Sequence, residues 1–566
     1  MSEKTILIQK MDWKVFLLIC GIMFTIFVFT SDGHRHSGDE DWSQLQTIRM
    51  VTMEPHPLYV DGVSQKMFER PTLYPPEAGW FRSVLCNDPI ICSPASIGHS
   101  VTEFPFVFIN YHLKIISDEE FLEVDDFPDA HYIFWRNGID GNFTFLALFF
   151  GPFYVALSVG IFYLINRTYD HSVKISLTLA IILGLTTCFW AYSQTTLNIV
   201  PVCFFILLGF LFYRKFALQK TPLPLALCTA CLGFGFFIRQ DVILFLIPLA
   251  LLFLFDLIKQ KHRIIKIISF IAPLLLFYQL RKSIDSMRFV EDFNEKLIDP
   301  SSLLYVGYID SSNFPFSIFS GIIAFLSPIV DKYSGCSAGC TVMGDVTFPE
   351  GLGGLLLSPG VGLFIFIPIM LTVFFSFPDF YRKNKASLVF FISLVSVYVV
   401  YFGSLDLWHG LVTWGPRYLM GIIPFMLIPL GASLKIRNKK FLVIILLLLC
   451  GAGFLFNLAY VLQDVDWFVW GKAGYDTGLF GLGNQMTELY IHESVKWTFK
   501  NSQLTNSLYT LFNSWYPDVL LQKIFGSFGY TLALIGLLTP QIFYLTRIIR
   551  KLSQRTMQNT SQQKNK

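Results

Sequence analysis

The chain has 566 residues, 53% of them hydrophobic and 17% aromatic, and its mean hydropathy is +0.54. That composition excludes a soluble protein with a single anchor and points to one large polytopic membrane domain. A net charge of +3 is too small for a nucleic-acid partner, and the lysines and arginines fall in short clusters between apolar runs, which is a signal of membrane topology.

The N-terminal stretch MSEKTILIQKMDWK leads into an apolar run over 15–29. No small-residue cleavage site follows and acids come next, so the run reads as an uncleaved first span. Directly after it, 31–42 reads SDGHRHSGDEDW, crowding Asp32, Asp39, Glu40 and Asp41 with His34, Arg35 and His36 where a helix would leave the bilayer. Such a cluster is either a solvated charged loop or a reactive one.

Runs of roughly 17–25 apolar residues place spans at 14–30, 142–165, 173–192, 197–213, 223–238, 241–258, 265–280, 353–378, 387–403, 415–433, 440–462 and 525–546. The predicted fold class is therefore an all-α polytopic membrane protein of about twelve transmembrane helices, with interfacial helices in a large first extracytoplasmic loop. With the N-terminus inside, every basic connection falls on the cytoplasmic side: Arg167/Lys174, Arg214/Lys215/Lys220, Lys259/Lys261/Arg263, Arg382/Lys383/Lys385 and Lys435/Arg437/Lys439/Lys440. The C-terminus then lies inside as well. The short run 104–116 carries Asn110, His112 and Lys114 and would reverse the count if it crossed. It reads as a helix lying in the interface, with Phe104, Val107, Phe108, Tyr111 and Ile115 on one face.

The membrane domain covers 1–550, with outward segments at 31–141, 281–352 and 463–524. The polar, basic tail 551–566 is predicted to be disordered. Cys20, Cys188, Cys203, Cys228, Cys231 and Cys450 lie in apolar runs and read as small buried hydrophobes. Cys86, Cys92, Cys336 and Cys340 lie in loops. Pairing of Cys86 with Cys92 and of Cys336 with Cys340 suits an oxidising compartment, and a four-cysteine zinc site is the alternative.

The remaining conspicuous polar groups gather at the outer ends of spans: WAYSQ at 190–194, Arg239-Gln240-Asp241, GLGGLLLSPG at 351–360, DLWH at 406–409 and WGPR at 414–417. Each also has a structural explanation. Arg239 and Asp241 can pair with each other, Arg417 can reach lipid head groups, and the glycines can permit close helix packing. The glycines do not form a nucleotide loop, because no Gly-Lys-Ser/Thr follows. Carboxylates at one outer helix end and arginines at others suit a division of labour. An acid can deprotonate a hydroxyl or hold a metal, while guanidinium groups take a phosphate bidentately.

In this order, SGDE at 37–40, WAYSQT at 190–195, IRQD at 238–241, GLLLSPGVGLFIFIP at 354–368 and WGPRYLMGIIPF at 414–425 resemble the GT-C-type polytopic glycosyltransferases. The likeness is to the class of protein O-mannosyltransferases and lipid A aminoarabinose transferases, and more closely to prokaryotic family 39-like members. In that class an acid is expected after the Tyr-Ser motif, where this chain has Asn198. The resemblance implies a polyprenyl-phosphate-sugar donor, an active site facing away from the cytosol, and a protein, glycan or lipid acceptor. It also implies that Asp39 and Glu40 are catalytic. Asp39 would act as general base, and Glu40 would position the base or the acceptor or, with Asp39, hold a divalent cation such as Mg or Mn. Arg417, with Arg239, His409 and Tyr192, would bind the donor and its departing phosphate. The alternative is a lipid-linked sugar transporter or flippase, which would place ionisable groups near the bilayer midplane beside broken helices.

Overall fold

A computed structural model describes residues 10–33, 41–53, 96–116, 141–258, 262–288, 348–403, 408–410, 414–434, 440–463, 496–513, 517 and 519–564. Among the described residues there is no strand. The helices are α1 Lys10–Phe29, α2 Asp41–Thr52, α3 Ile97–Leu113, α4 Gly141–Arg167, α5 Val173–Thr186, α6 Phe189–Tyr192, α7 Ile199–Gln219, α8 Pro222–Ile238, α9 Val242–Ile258 and α10 Arg263–Arg288. They continue as α11 Phe348–Leu357, α12 Leu363–Phe366, α13 Phe377–Gly403, α14 Ile423–Leu427, α15 Leu430–Ser433, α16 Lys440–Val461, α17 Gln503–Asn513 and α18 Leu520–Lys564. Among the described residues, 7 helices are long and apolar enough to cross a bilayer, and α5, α8, α9 and the segment Ile423–Ser433 are shorter apolar helices. This is an all-α membrane protein.

Pairs across the bundle sort its helix ends into two groups. At one end, Asp12 of α1 pairs with Arg167 of α4 at 2.8 Å and accepts from the Tyr163 hydroxyl at 3.1 Å, both partly or fully buried. The same end holds the Tyr213–Asp256 hydrogen bond between α7 and α9 (2.8 Å) and the Arg214 guanidinium over the Tyr169 ring (4.0 Å). At the other end α1 stops at Thr30, whose hydroxyl accepts from Trp190. Between these two ends lies a packed block of rings: Phe210 stacks on Phe390 at 5.5 Å, and Phe245 meets Phe425 at 5.2 Å. Rings of this size bury large apolar areas and fix their neighbours' geometry.

Three spans expected as continuous helices are broken. The stretch 173–192 stops at Thr186, where Thr187 is extended, and restarts as the single turn α6. The stretch 353–378 divides into α11, α12 and a 3-10 helix over Pro368–Ser376, and the stretch 415–433 into a 3-10 turn Arg417–Leu419 followed by α14 and α15. Pro359, Pro368, Pro416, Pro424 and Pro429 sit at or near the breaks, and proline removes a backbone donor and crowds the preceding turn. Such breaks persist at membrane depth only where protein covers them, and α14 and α15 are buried almost throughout. Asn384, inside the basic Arg382–Lys385 connection, breaks α13 with φ −132° and ψ 47°.

Helix α18 runs on to Lys564, through the polar tail whose composition pointed to disorder. Helix α3 begins at Ile97, earlier than the expected 104, and its buried ridge is His99, Glu103, Val107 and Asn110. Of the face predicted from 104–116, Phe108 and Ile115 are exposed and Val107 is buried. The six described cysteines are free; Cys188, Cys203 and Cys228 are buried as expected, whereas Cys20, Cys231 and Cys450 are only half-buried. Cys86, Cys92, Cys336 and Cys340 lie outside the described residues.

Candidate functional site

At the Thr30 end, sequence-distant polar groups join into one buried layer. The turn between α8 and α9 supplies Arg239 and Asp241, because Arg239 leaves the helix with extended φ/ψ (−150°, 130°). Its Nε meets Asp241 Oδ2 at 2.9 Å, its Nη1 donates to Asn198 Oδ1 at 3.0 Å, and its guanidinium carbon lies 5.9 Å from the Tyr418 ring centroid. Asn198 therefore has a partner where the resemblance led to the expectation of an acid. Tyr418 in turn stacks on Phe402 of α13, centroids 4.4 Å apart and planes 5° from parallel. Arg417, next to it in the 3-10 turn, is buried, 8% exposed.

The turn 187–198 forms the second part. Trp190 Nε1 donates to Thr30 Oγ1 at 3.0 Å, and Gln194 Nε2 donates to the carbonyls of Thr30 (2.5 Å) and Val461 (3.0 Å), tying α1 to α16. Gly151 of α4 presses against the Ser193 and Thr195 carbonyls so closely that a Cβ would overlap them. Tyr192 is 1% exposed within this turn.

Helices α2 and α3 cross over the same turn. Glu103 Oε2 accepts from Ser43 Oγ and Thr47 Oγ1, each at 2.8 Å, while His99 Nε2 lies 3.3 Å from Glu103 Oε1 and 2.9 Å from the Thr196 carbonyl. Gln44 Nε2 donates to Thr196 Oγ1 at 2.5 Å. Ser96 Oγ reaches the Phe237 carbonyl at 2.5 Å, which seats the start of α3 against the end of α8.

The fourth part surrounds His409. Trp408 is fully buried; its ring meets His409 edge-on at 5.6 Å and Trp497 at 5.7 Å, and a Cβ on Gly354 would overlap it. Lys496, 4% exposed, holds its Nζ 5.9 Å from the Trp408 ring centroid, and its carbonyl accepts from Ser358 Oγ and from Gly360 N–H. Burial, reinforced by the Lys496 charge, pushes the His409 imidazole down to about 3, so this ring is neutral at physiological pH. Trp414 links the part to α16 through Asn457 Oδ1 (3.2 Å) and the Tyr460 ring (4.5 Å).

The structure thus brings Arg239, Tyr192, Arg417 and His409 to one end of the bundle, while Asp39 and Glu40 lie outside the described residues. Of the structural explanations, the Arg239–Asp241 pair and close glycine packing are both present. Sequence reading missed Glu103 and His99, whose i,i+4 spacing lay just before the expected helix start. It also missed Lys496, one of four lysines in the outer segment 463–524. Among the described residues no group of three His, Cys, Asp or Glu could hold a metal. No protein-family model matches the chain, and no curated protein is significantly similar to it.

Proposed function

We propose that this membrane protein is a glycosyltransferase that moves a sugar from a polyprenyl-phosphate donor to an acceptor at the extracytoplasmic face. In this reading the chain crosses the membrane twelve times, both termini are cytoplasmic, and the Thr30 end of the bundle faces outward. One observation carries it: at that end Arg239 of 238–241 bonds to Asn198, just after 190–195, and lies 5.9 Å from the Tyr418 ring of 414–419, so stretches far apart in sequence come together there. The packed rings of Phe210, Phe245, Phe390 and Phe425 lie between those groups and the Asp12 end, an arrangement that favours chemistry at one face over a route through the bundle for a carried lipid head group.

The reaction is an in-line displacement at the anomeric carbon. Asp39 takes the acceptor's proton, the acceptor oxygen bonds to that carbon, and the donor's phosphate leaves with the electrons of the broken bond. Arg417 holds the departing phosphate bidentately. Arg239, already bonded to Asp241 and Asn198, braces Tyr418 and so the turn that carries Arg417. His409, neutral at neutral pH, offers a hydrogen bond rather than a charge, and Tyr192 supports the turn beneath. Glu40 positions the base or, with Asp39, holds a divalent cation.

The reading is tested by incubating purified protein with a panel of polyprenyl-phosphate sugars and following release of the lipid phosphate. Acceptor-dependent release from one donor is expected. Movement of intact donor between the leaflets of a vesicle, with no release from any donor, would establish the transporter instead.

A further inference from the structure

The stretch 31–40 has two covalent ends, and both are tied to the same turn. At its N-terminal end, Thr30 is held by Trp190 and by Gln194. At its C-terminal end the chain enters α2, and Gln44 in the first turn of that helix donates to Thr196. Trp190, Gln194 and Thr196 belong to one compact turn. That turn is fixed in its own right by Ser193 Oγ on the Trp190 carbonyl (2.6 Å), by Thr195 Oγ1 on the Tyr192 carbonyl (3.2 Å) and by Gly151 pressing from α4.

The seat of α2 is also unusual in kind. Its sequence DWSQLQTIRMVT buries Ser43, Gln44, Gln46, Thr47 and Arg49. Apolar packing would tolerate a helix sliding or rolling, because burial is not directional. Hydrogen bonds at defined distances do not tolerate it. The central acceptor is Glu103, a fully buried carboxylate that takes Ser43 and Thr47 from α2 and faces His99 on its own helix. A carbonyl can only accept, so His99 Nε2 carries a hydrogen and donates it to Thr196. Ser100 adds bonds to the Ser43 carbonyl (3.1 Å) and to Gln46 (3.2 Å).

We infer that Gln44, Glu103 and Thr196 are positioning residues, which together with the Trp190–Gln194 turn clamp both chain ends of the 31–40 stretch to one anchor. The inference rests on the proposed function for its consequence, which is that transfer depends on the clamp, but not for the clamp itself. Small misplacement of a reacting group is costly, roughly a hundredfold for an ångström. Loosening one end of the clamp therefore lowers the rate at saturating donor while leaving donor affinity unchanged.

The experiment uses full-length protein spin-labelled at Met53 and Leu113, both exposed, with Glu103→Gln and Gln44→Leu as variants and Asp39→Asn as reference. Glu103→Gln is expected to broaden the label-to-label distance distribution and to lower kcat roughly ten- to a hundredfold with KM for donor unchanged. Gln44→Leu tests the same seat from the other helix if the first variant folds poorly. A parent-like distance distribution in both variants overturns the clamp, whatever transfer does. A broadened distribution with parent kcat, in a protein that Asp39→Asn inactivates, overturns the dependence of transfer on the clamp. If Asp39→Asn itself transfers at the parent rate, the proposed function has failed, and the distance distribution alone upholds or overturns the clamp.

Discussion

Removing Arg239 should harm the fold before it harms chemistry. Its guanidinium is 15% exposed and its partner Asp241 9% exposed, with Nε to Oδ2 at 2.9 Å and a second bond to Asn198. Breaking a buried ion pair from one side costs about 3–5 kcal/mol, because the remaining charge stays buried without its counter-charge. The partial exposure of both groups lowers that figure, and the lost Asn198 bond adds about 1 kcal/mol. We therefore expect Arg239→Gln and Asp241→Asn each to destabilise the protein by about 3 kcal/mol. In the double variant the two neutral amides can bond to each other, so its loss should fall short of the sum of the two single losses by a coupling of about 2 kcal/mol. Thermal unfolding of the purified protein in detergent reads this directly: each single variant melts several degrees lower, and the double variant melts higher than the sum of the two single shifts would place it. If Asp241→Asn melts with the parent while Arg239→Gln changes only donor affinity, the pair is not a brace and Arg239 is a direct phosphate ligand.

Other substitutions follow from the same contacts. Gly354→Val places a side chain inside the ring of the fully buried Trp408 and should cost about 1–3 kcal/mol; Gly353→Ala, which meets nothing within 4 Å, should melt with the parent. His409 stays neutral in the fold down to about 3, through burial and then the Lys496 charge, whereas in the unfolded chain it titrates near its ordinary value of about 6.5. The unfolded state alone takes up that proton, so stability falls as pH drops from about 6.5 towards 3. His409→Gln should flatten the melting temperature over that window relative to the parent. Arg417→Lys keeps the charge and loses the bidentate fork, so turnover should fall in a protein that folds normally, and unchanged kinetics would remove Arg417 from the phosphate site.

Much of the bundle was legible because apolar runs have few alternatives in a bilayer: α1, α4, α7, α8, α9 and α16 lie close to the spans read from hydropathy. What was not legible were the breaks. Hydropathy counts Leu363 to Ser376 as one apolar run, and only the prolines and glycines around it signal that the backbone changes from α12 to a 3-10 helix. The site divided in the same way. Arg239 with Asp241 and Arg417 beside Pro416 stood out as charges at the ends of apolar runs. Glu103 did not, because its partners Ser43 and Thr47 lie more than fifty residues away in sequence and hydroxyls give no pattern. Lys496 was equally silent, since its environment is made by Trp408 and Ser358, brought to it only by the fold.

The central claim is that the acidic stretch after α1 performs the transfer. The most direct measurement is sugar transfer by Asp39→Asn at saturating donor, beside a donor-binding titration of the same folded protein. The amide keeps the shape and removes the basicity, so the rate should fall roughly 10²–10⁴-fold while the donor still binds, since its phosphate is held by Arg417. Glu40→Gln should fall less if Glu40 only positions the base, and more if it holds a required cation. Asp32→Asn and Asp41→Asn should transfer normally. Parent-rate transfer by Asp39→Asn would contradict the account.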